Sequence, residues 1–264
     1  MYVGFQIDID RADETLLRDY LRNNPRMGMC SNVSAYEMEN ALASNDANWI
    51  IDNWFKSYEV DVFISHSSLD IKLAQSLAAV LESVGLVVFI DSEVWGRVEN
   101  LQRLIDDKMA ILRETDHVYS YNKRNVTTSC VHAMLHYALM RMINRAECFM
   151  FIGTQNSMLN SYADAIDTKS PWLFHELAVA NVIAQQKLKR ERMPFYKTAQ
   201  DLYPEPMTES FALKFTSETK RLRKIRLKNV IEAIEIFRGF QAGQKIDCIP
   251  QFALDVLYHG GNEV

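Results

Sequence analysis

Cysteine is scarce in this chain. The four present (Cys30, Cys130, Cys148 and Cys248) stand far apart, in no metal-ligand or redox spacing. That disfavours a disulfide framework and a thiolate metal site, and free buried thiols in a reducing cytoplasm are the expectation. No apolar run approaches the ~18 residues of a membrane span. Met1–Asp10 has no basic flank and carries acids early, so it does not read as a secretory signal. A basic surplus is also missing: the net charge is -5 and the pI is near 5.7, which argues against a nucleic-acid partner. There is no glycine-rich phosphate loop, since Gly153 stands alone, and there are no internal repeats or low-complexity tracts. What is left is the composition of a soluble globule, about half apolar and a quarter charged, and long enough for one large α/β domain with additions.

The most informative stretch is Val60–Asp91. Val60–Ile64 is a short β-branched run that ends in Ser65-His66-Ser67-Ser68, the pattern of a buried strand feeding a loop. Leu69 or Ile71, then Leu73, Leu77, Leu81 and Val84, recur at helical spacing, and Gly85 falls where a helix C-cap belongs. Val87–Ile90 is a second buried strand with Asp91 at its end. Strand, helix and strand in this order form a βαβ unit and imply a parallel sheet. Ligands of such sheets bind beyond the carboxyl ends of the strands, where Ser65–Ser68 and Asp91 fall.

Residues 1–57 read as an N-terminal extension packed on the core, with a possible strand in Tyr2–Ile9 and short helices over Ser34–Leu42 and Asn48–Phe55. Ser92–Arg97 reads as a loop, Leu101–Ile111 as a helix, and Tyr119–Ser129 as a long polar, aromatic loop. Val131–Ile143 reads as a helix and Glu147–Ile152 as a third buried strand. Asn160–Ser170 reads as a polar loop. Ser170-Pro171 opens a helix that carries Trp172 and Glu176 one turn apart. Lys187–Arg192 reads as a solvated basic run. Phe211–Phe215 is a possible late strand, Val230–Phe237 and Phe252–Tyr258 read as helices, and no final strand is clear after Lys187.

Each candidate for chemistry also has a plainer role. Ser65–Ser68 offers hydroxyls and backbone N–H groups to a phosphate, or an ordinary cap at Ser67 or Ser68. Asp91 accepts from sugar hydroxyls, or serves a turn. Glu176 faces a ligand edge, or complements a helix dipole. His132 and His136 have a metal-capable i, i+4 spacing, but Ala133 stands where a hydrolytic zinc motif needs Glu, so no metal is expected. His175 points off at another helical angle and reads as a surface residue.

Asp61-Val62-Phe63-Ile64-Ser65-His66-Ser67-Ser68-Leu69-Asp70 resembles the first strand and loop of Toll/interleukin-1 receptor (TIR) domains. Val88-Phe89-Ile90-Asp91 resembles their second strand, and Ser170-Pro171-Trp172-Leu173-Phe174-His175-Glu176-Leu177 their Ser-x-Trp-x-x-x-Glu-Leu segment. The resemblance covers Tyr58–Lys187. It implies a flavodoxin-like doubly wound parallel sheet over 58–190, with additions at 1–57 and 191–264. It implies an enzyme that cleaves NAD at the nicotinamide–ribose bond, as a hydrolase or a cyclase, with Glu176 catalytic. Phe63, Ser65, His66, Ser68, Asp91, Trp95 and Trp172 would line the substrate. NAD is then substrate rather than cofactor. Further implications are self-association through loops including Ser92–Arg97, a cytoplasmic place in antiphage defence, and an effector that reads an ADP-ribose signal. The family also contains non-catalytic scaffolds, which is the alternative reading; a deoxyribosyltransferase-like enzyme would want a second acid near Glu176. The segment between Asp91 and Glu147 is longer than the family's, so Tyr119–Ser129 would be an insertion, with Arg124, Asn125 and Ser129 able to reach the site.

Overall fold

The structure is a computed structural model. It describes residues 3–23, 25–26, 35–44, 46–55, 58–94, 98–113, 118–161, 165–168, 170–183, 188, 190–193, 216–219, 221–243 and 249–260. In chain order the elements are β1 (Val3–Asp8), α1 (Arg11–Asn23), α2 (Ala35–Ser44), α3 (Ala47–Asn53), β2 (Val62–Ser65), a 3-10 turn (Ser68–Asp70), α4 (Ile71–Glu82) and β3 (Val88–Phe89). Next come α5 (Asp91–Val94), α6 (Val98–Met109), β4 (Ile111–Arg113), β5 (Val118–Tyr119), α7 (Tyr121–Arg145) and β6 (Cys148–Gly153). The remainder are β7 (Asn160–Ser161), β8 (Ala165–Asp167), α8 (Pro171–Val182), β9 (Thr216–Glu218), β10 (Leu222–Arg226), α9 (Leu227–Ala242) and α10 (Phe252–Gly260). Two compact units share the chain, each discontinuous in sequence. The first is Met1–Met27, Glu59–Ile90 and Ile143–Val264; the second is Gly28–Tyr58 and Asp91–Met142.

The first unit is an α/β layer built on a five-stranded parallel sheet in the order β10-β1-β6-β2-β3. β2, β3 and β6 are buried on both faces, which is why they read as continuous apolar runs. Alternation then assigns the faces. Ile7, Val62, Ile64, Val88, Met150 and Ile152 join one core with residues of α1, α4, α9 and α10. The intervening positions, Gln6, Phe63, Ser65, Phe89, Phe149 and Phe151, fall on the other face. The order is compatible with a flavodoxin-like fold, with one departure: β1, the strand expected in a packed-on extension, runs inside the sheet between β10 and β6. Its partners come from distant sequence, so its place is invisible locally. β10 forms the edge within the basic segment Ser217–Arg226, where no clear strand was expected, because Leu222 and Ile225 alone turn inward. Phe211–Phe215 lies outside the described residues.

α4 starts at Ile71; Leu69, the other candidate for the periodic face, is 76% exposed. Gly85 follows α4 with φ at +90°, in the left-handed region. A Cβ there would stand 2.9 Å from Pro250 Cγ. Gly85→Ala is therefore expected to cost about 1–3 kcal/mol. A urea unfolding curve with an unchanged midpoint would refute this.

The second unit gathers α2, α3, α5, α6, the antiparallel β4–β5 pair and most of α7. α3 is capped by Asp46, whose carboxylate accepts from Trp49 N at 3.0 Å. Arg141 of α7 pairs with Asp52 of α3 at 2.7 Å. The structure corrects two loops here. Ser92 to Val94 are helical within α5, while Trp95–Arg97 lie outside the described residues. Tyr119–Ser129 is no loop: it closes β5 and supplies the first turns of α7. Buried Asp106 of α6 organises those turns, accepting from the Thr127 hydroxyl, from Gln102 Nε2 at 2.9 Å and from Arg124 Nε at 3.2 Å. Cys130 on α7 is exposed, against the expectation of buried thiols, while Cys148 is buried and free; Cys30 and Cys248 fall outside the described residues. No helix among the described residues is long and apolar enough to cross a membrane.

Candidate active site

The carboxyl edge of the first unit's sheet holds the residues of interest. β2 ends at Ser65, whose side chain falls on the Phe63 face by alternation. α8 begins where its sequence says it must: the Ser170 hydroxyl accepts from Leu173 N at 3.3 Å, and Pro171 takes the first helical position. One turn on from Trp172, Glu176 comes inward and is only 3% exposed. The Ser65 hydroxyl donates to Glu176 Oε2 at 2.5 Å, across 111 residues of sequence. The two motifs thus meet in space, and the bond sets α8 over the sheet face that carries Ser65. A carboxylate removed from water and held by a charge-assisted hydrogen bond has a fixed position.

The other predicted residues divide. His66 is buried directly after the strand. Ser67 is the cap, its hydroxyl accepting from Leu69 N at 3.4 Å, and Ser68 is exposed in the 3-10 turn that follows. Trp172 and His175 are half-buried on α8. Phe63 is fully buried, stacked on Phe149 at 5.7 Å and tilted against Phe89 at 5.4 Å, so it forms part of an aromatic floor. Asp91 follows β3 directly and opens α5, half-buried, and Trp95 is outside the described residues. Arg124, Asn125 and Ser129 belong to α7 of the second unit; Arg124 lies over the Tyr119 ring at 5.4 Å. His132 and His136 are exposed on the same helix with ring centres 6.5 Å apart. No group of three or more His, Cys, Asp and Glu among the described residues is arranged to hold a metal ion.

A second polar cluster escaped sequence reasoning. Asp70 is buried, with Thr154 Oγ1 donating to Oδ2 at 2.5 Å and Asn156 Nδ2 to Oδ1 at 2.7 Å. Thr154 Oγ1 also accepts from Asn156 N at 3.1 Å, and Ser157 Oγ accepts from Thr154 N at 2.8 Å. This network ties the turn after β2 to the turn after β6, and so holds the loop that follows Ser65. Thr154–Ser157 is polar, and nothing in its sequence names Asp70 as a partner. Asp70→Ala is expected to cost about 1.5–3 kcal/mol, the worth of hydrogen bonds to a buried charged group. Thermal or urea unfolding measures it, and a loss below about 0.5 kcal/mol would show that the two turns are held by other contacts.

Gln6 adds another buried polar group on this face. Gln6 and Ser65 both register with Phe151, one on each side, so a single row crosses β1, β6 and β2. Gln6 Nε2 donates to Asp8 Oδ1 at 2.9 Å, and its Oε1 has no hydrogen-bond partner among the described residues. No family model, curated protein or solved structure matches this chain.

Proposed function

We propose that this protein cleaves NAD at the nicotinamide–ribose bond, with Glu176 stabilising the ribosyl cation that develops. The observation that carries the reading is the Glu176 carboxylate, 3% exposed and fixed by Ser65 at the carboxyl edge of a parallel sheet. In the reaction the C1′–N bond breaks and its electron pair leaves with neutral nicotinamide. Positive charge passes to C1′ and the ring oxygen. A fixed carboxylate in a site shielded from water stabilises that charge far more than it could in water. Water then adds at C1′ and loses a proton to give ADP-ribose, or an adenine nitrogen adds to give a cyclic product. Trp172 would serve as a pocket wall, and Ser65 and His66 would sit near the ribose. The Ser-x-Trp-x-x-x-Glu-Leu segment, on a sheet compatible with a flavodoxin-like fold, supports a TIR-like reading of the same site. Self-association and an effector that reads the product in antiphage defence belong to that reading.

One observation favours a second reading. A buried carboxylate bonded across to β2 also serves to lock α8 onto the sheet, as a non-catalytic scaffold would require. Incubation with NAD separates the two, following nicotinamide release and the mass of the second product in the wild type beside Glu176→Gln. Release that disappears in the variant supports the enzyme. No release from either protein at high concentration supports the scaffold.

A further inference from the structure

The second unit contains a cavity that the proposed chemistry does not use. It measures about 360 Å³ and lies among α2, α3, α6 and α7. Leu42, Ile50, Ile105, Met109, Val126 and Met134 supply hydrocarbon walls. Ala41 and Ala47 keep it open, since larger side chains at either position would enter it. Three lining residues carry a polar group, and two of these offer a ligand little. The Thr127 hydroxyl is committed, donating to Asp106 and accepting from Gln102 Nε2 at 3.3 Å. The Cys130 thiol is only a weak donor. That leaves the ammonium of exposed Lys123, the one formal charge among the lining residues. The volume falls within the range of small-molecule pockets.

We infer that this cavity binds a medium-chain carboxylate, with its alkyl chain against the apolar walls and its carboxylate paired with Lys123. A ligand with polar groups along its length would leave them unpaired here, whereas one anionic end has one partner. The inference does not depend on NAD cleavage.

Calorimetric titration of the full chain with hexanoate, octanoate and decanoate, kept below their aggregation thresholds, tests it. Affinity is expected to rise about fourfold per added methylene until the cavity is full. Decanoate should also slow alkylation of Cys130 by N-ethylmaleimide, followed at that peptide by mass spectrometry. Ala47→Trp, entering from the exposed rim, should weaken decanoate about tenfold or more; Ala41→Phe should do the same from the buried side. Lys123→Gln should weaken decanoate roughly two- to fivefold and leave decanol unchanged. Absence of saturable binding, equal binding by Ala47→Trp, or unprotected Cys130 at saturating decanoate would each overturn the assignment. Competition by phosphatidylglycerol vesicles would assign the cavity to a lipid chain and overturn the free-acid reading.

Discussion

Glu176→Gln is expected to lower nicotinamide release about 10²–10³-fold while leaving unfolding close to that of the wild type. The substitution removes a charge and almost nothing else. An amide oxygen in place of Oε2 still accepts the Ser65 hydroxyl that now donates at 2.5 Å, so α8 keeps its tie to β2. The side-chain volume is conserved, and no cavity opens beside Leu173 and Leu177, which are buried on the same helix. On the proposed mechanism, what is lost is the negative charge facing a developing cation, which counts in the transition state and little in the bound ground state. The loss should therefore appear in kcat and kcat/KM alike, with KM nearly constant. Ser65→Ala should behave differently. It keeps the charge and removes its donor, so it is expected to cost about 1–3 kcal/mol of stability and a smaller part of the rate. A Glu176→Gln protein that releases nicotinamide at the wild-type rate would remove Glu176 from the mechanism.

Arg190→Met is expected to cost about 3–5 kcal/mol of stability. Arg190 falls in the run expected to be solvated, yet its side chain is only 15% exposed. Its guanidinium forks onto two acids at once, with Nη2 donating to Glu147 Oε1 at 2.7 Å and Nη1 to Asp255 Oδ2 at 2.9 Å. Nη2 also donates to the Gln251 carbonyl at 2.7 Å, and Asp255 accepts from Met193 N at 2.7 Å. The cluster joins the chain just before β6 to the first turn of α10. Methionine fills the space of the stem and leaves the buried Asp255 carboxylate facing the half-buried one of Glu147. Burial already raises the Glu147 carboxyl above its ordinary value, against the downward pull of Arg190 and of the Tyr258 hydroxyl. Between the ordinary glutamate value and that raised one, the folded protein keeps a proton that the unfolded chain has released. Stability then falls as pH rises through the window. Removing Arg190 pushes Glu147 further up, so the variant should lose stability more steeply with rising pH. Urea unfolding at several pH values measures both effects. A loss below about 1 kcal/mol, with an unaltered pH slope, would show that the acids find water.

Much of the site could be read locally because its signals are local. The β-branched run into Ser65, the Ser170-Pro171 start of α8 and the four-residue step from Trp172 to Glu176 each depend on neighbours in sequence. So do β6 and α4. What could not be read depends on partners far away. Tyr121–Ser129 carries Asn122, Asn125, Thr127, Thr128 and Ser129, residues that compete with the helical backbone for hydrogen bonds, and it reads as a loop on propensity alone. It is helical because Thr127 finds Asp106 and because the turns that follow bury Val131, Met134 and Leu135. Arg190 looks solvated for the same reason: Glu147 and Asp255 are not near it in sequence. Asp70 and Asn156 form a pair that no spacing announces.

The place of β1 has a consequence for how the chain is made. It leaves the ribosome ahead of both its sheet partners, yet Val3 must pair with Cys148 on one side and Gly4 with Leu222 on the other. At about 5–20 residues per second, the strand waits many seconds for β6 and longer for β10. Over that interval Phe5 and Ile7, fully buried in the finished sheet, have no sheet partner to cover them. Closing such long loops before any strand contact repays them makes the folding barrier one of topology, and slow. A version with β1 moved to follow β6 should therefore fold faster without being more stable.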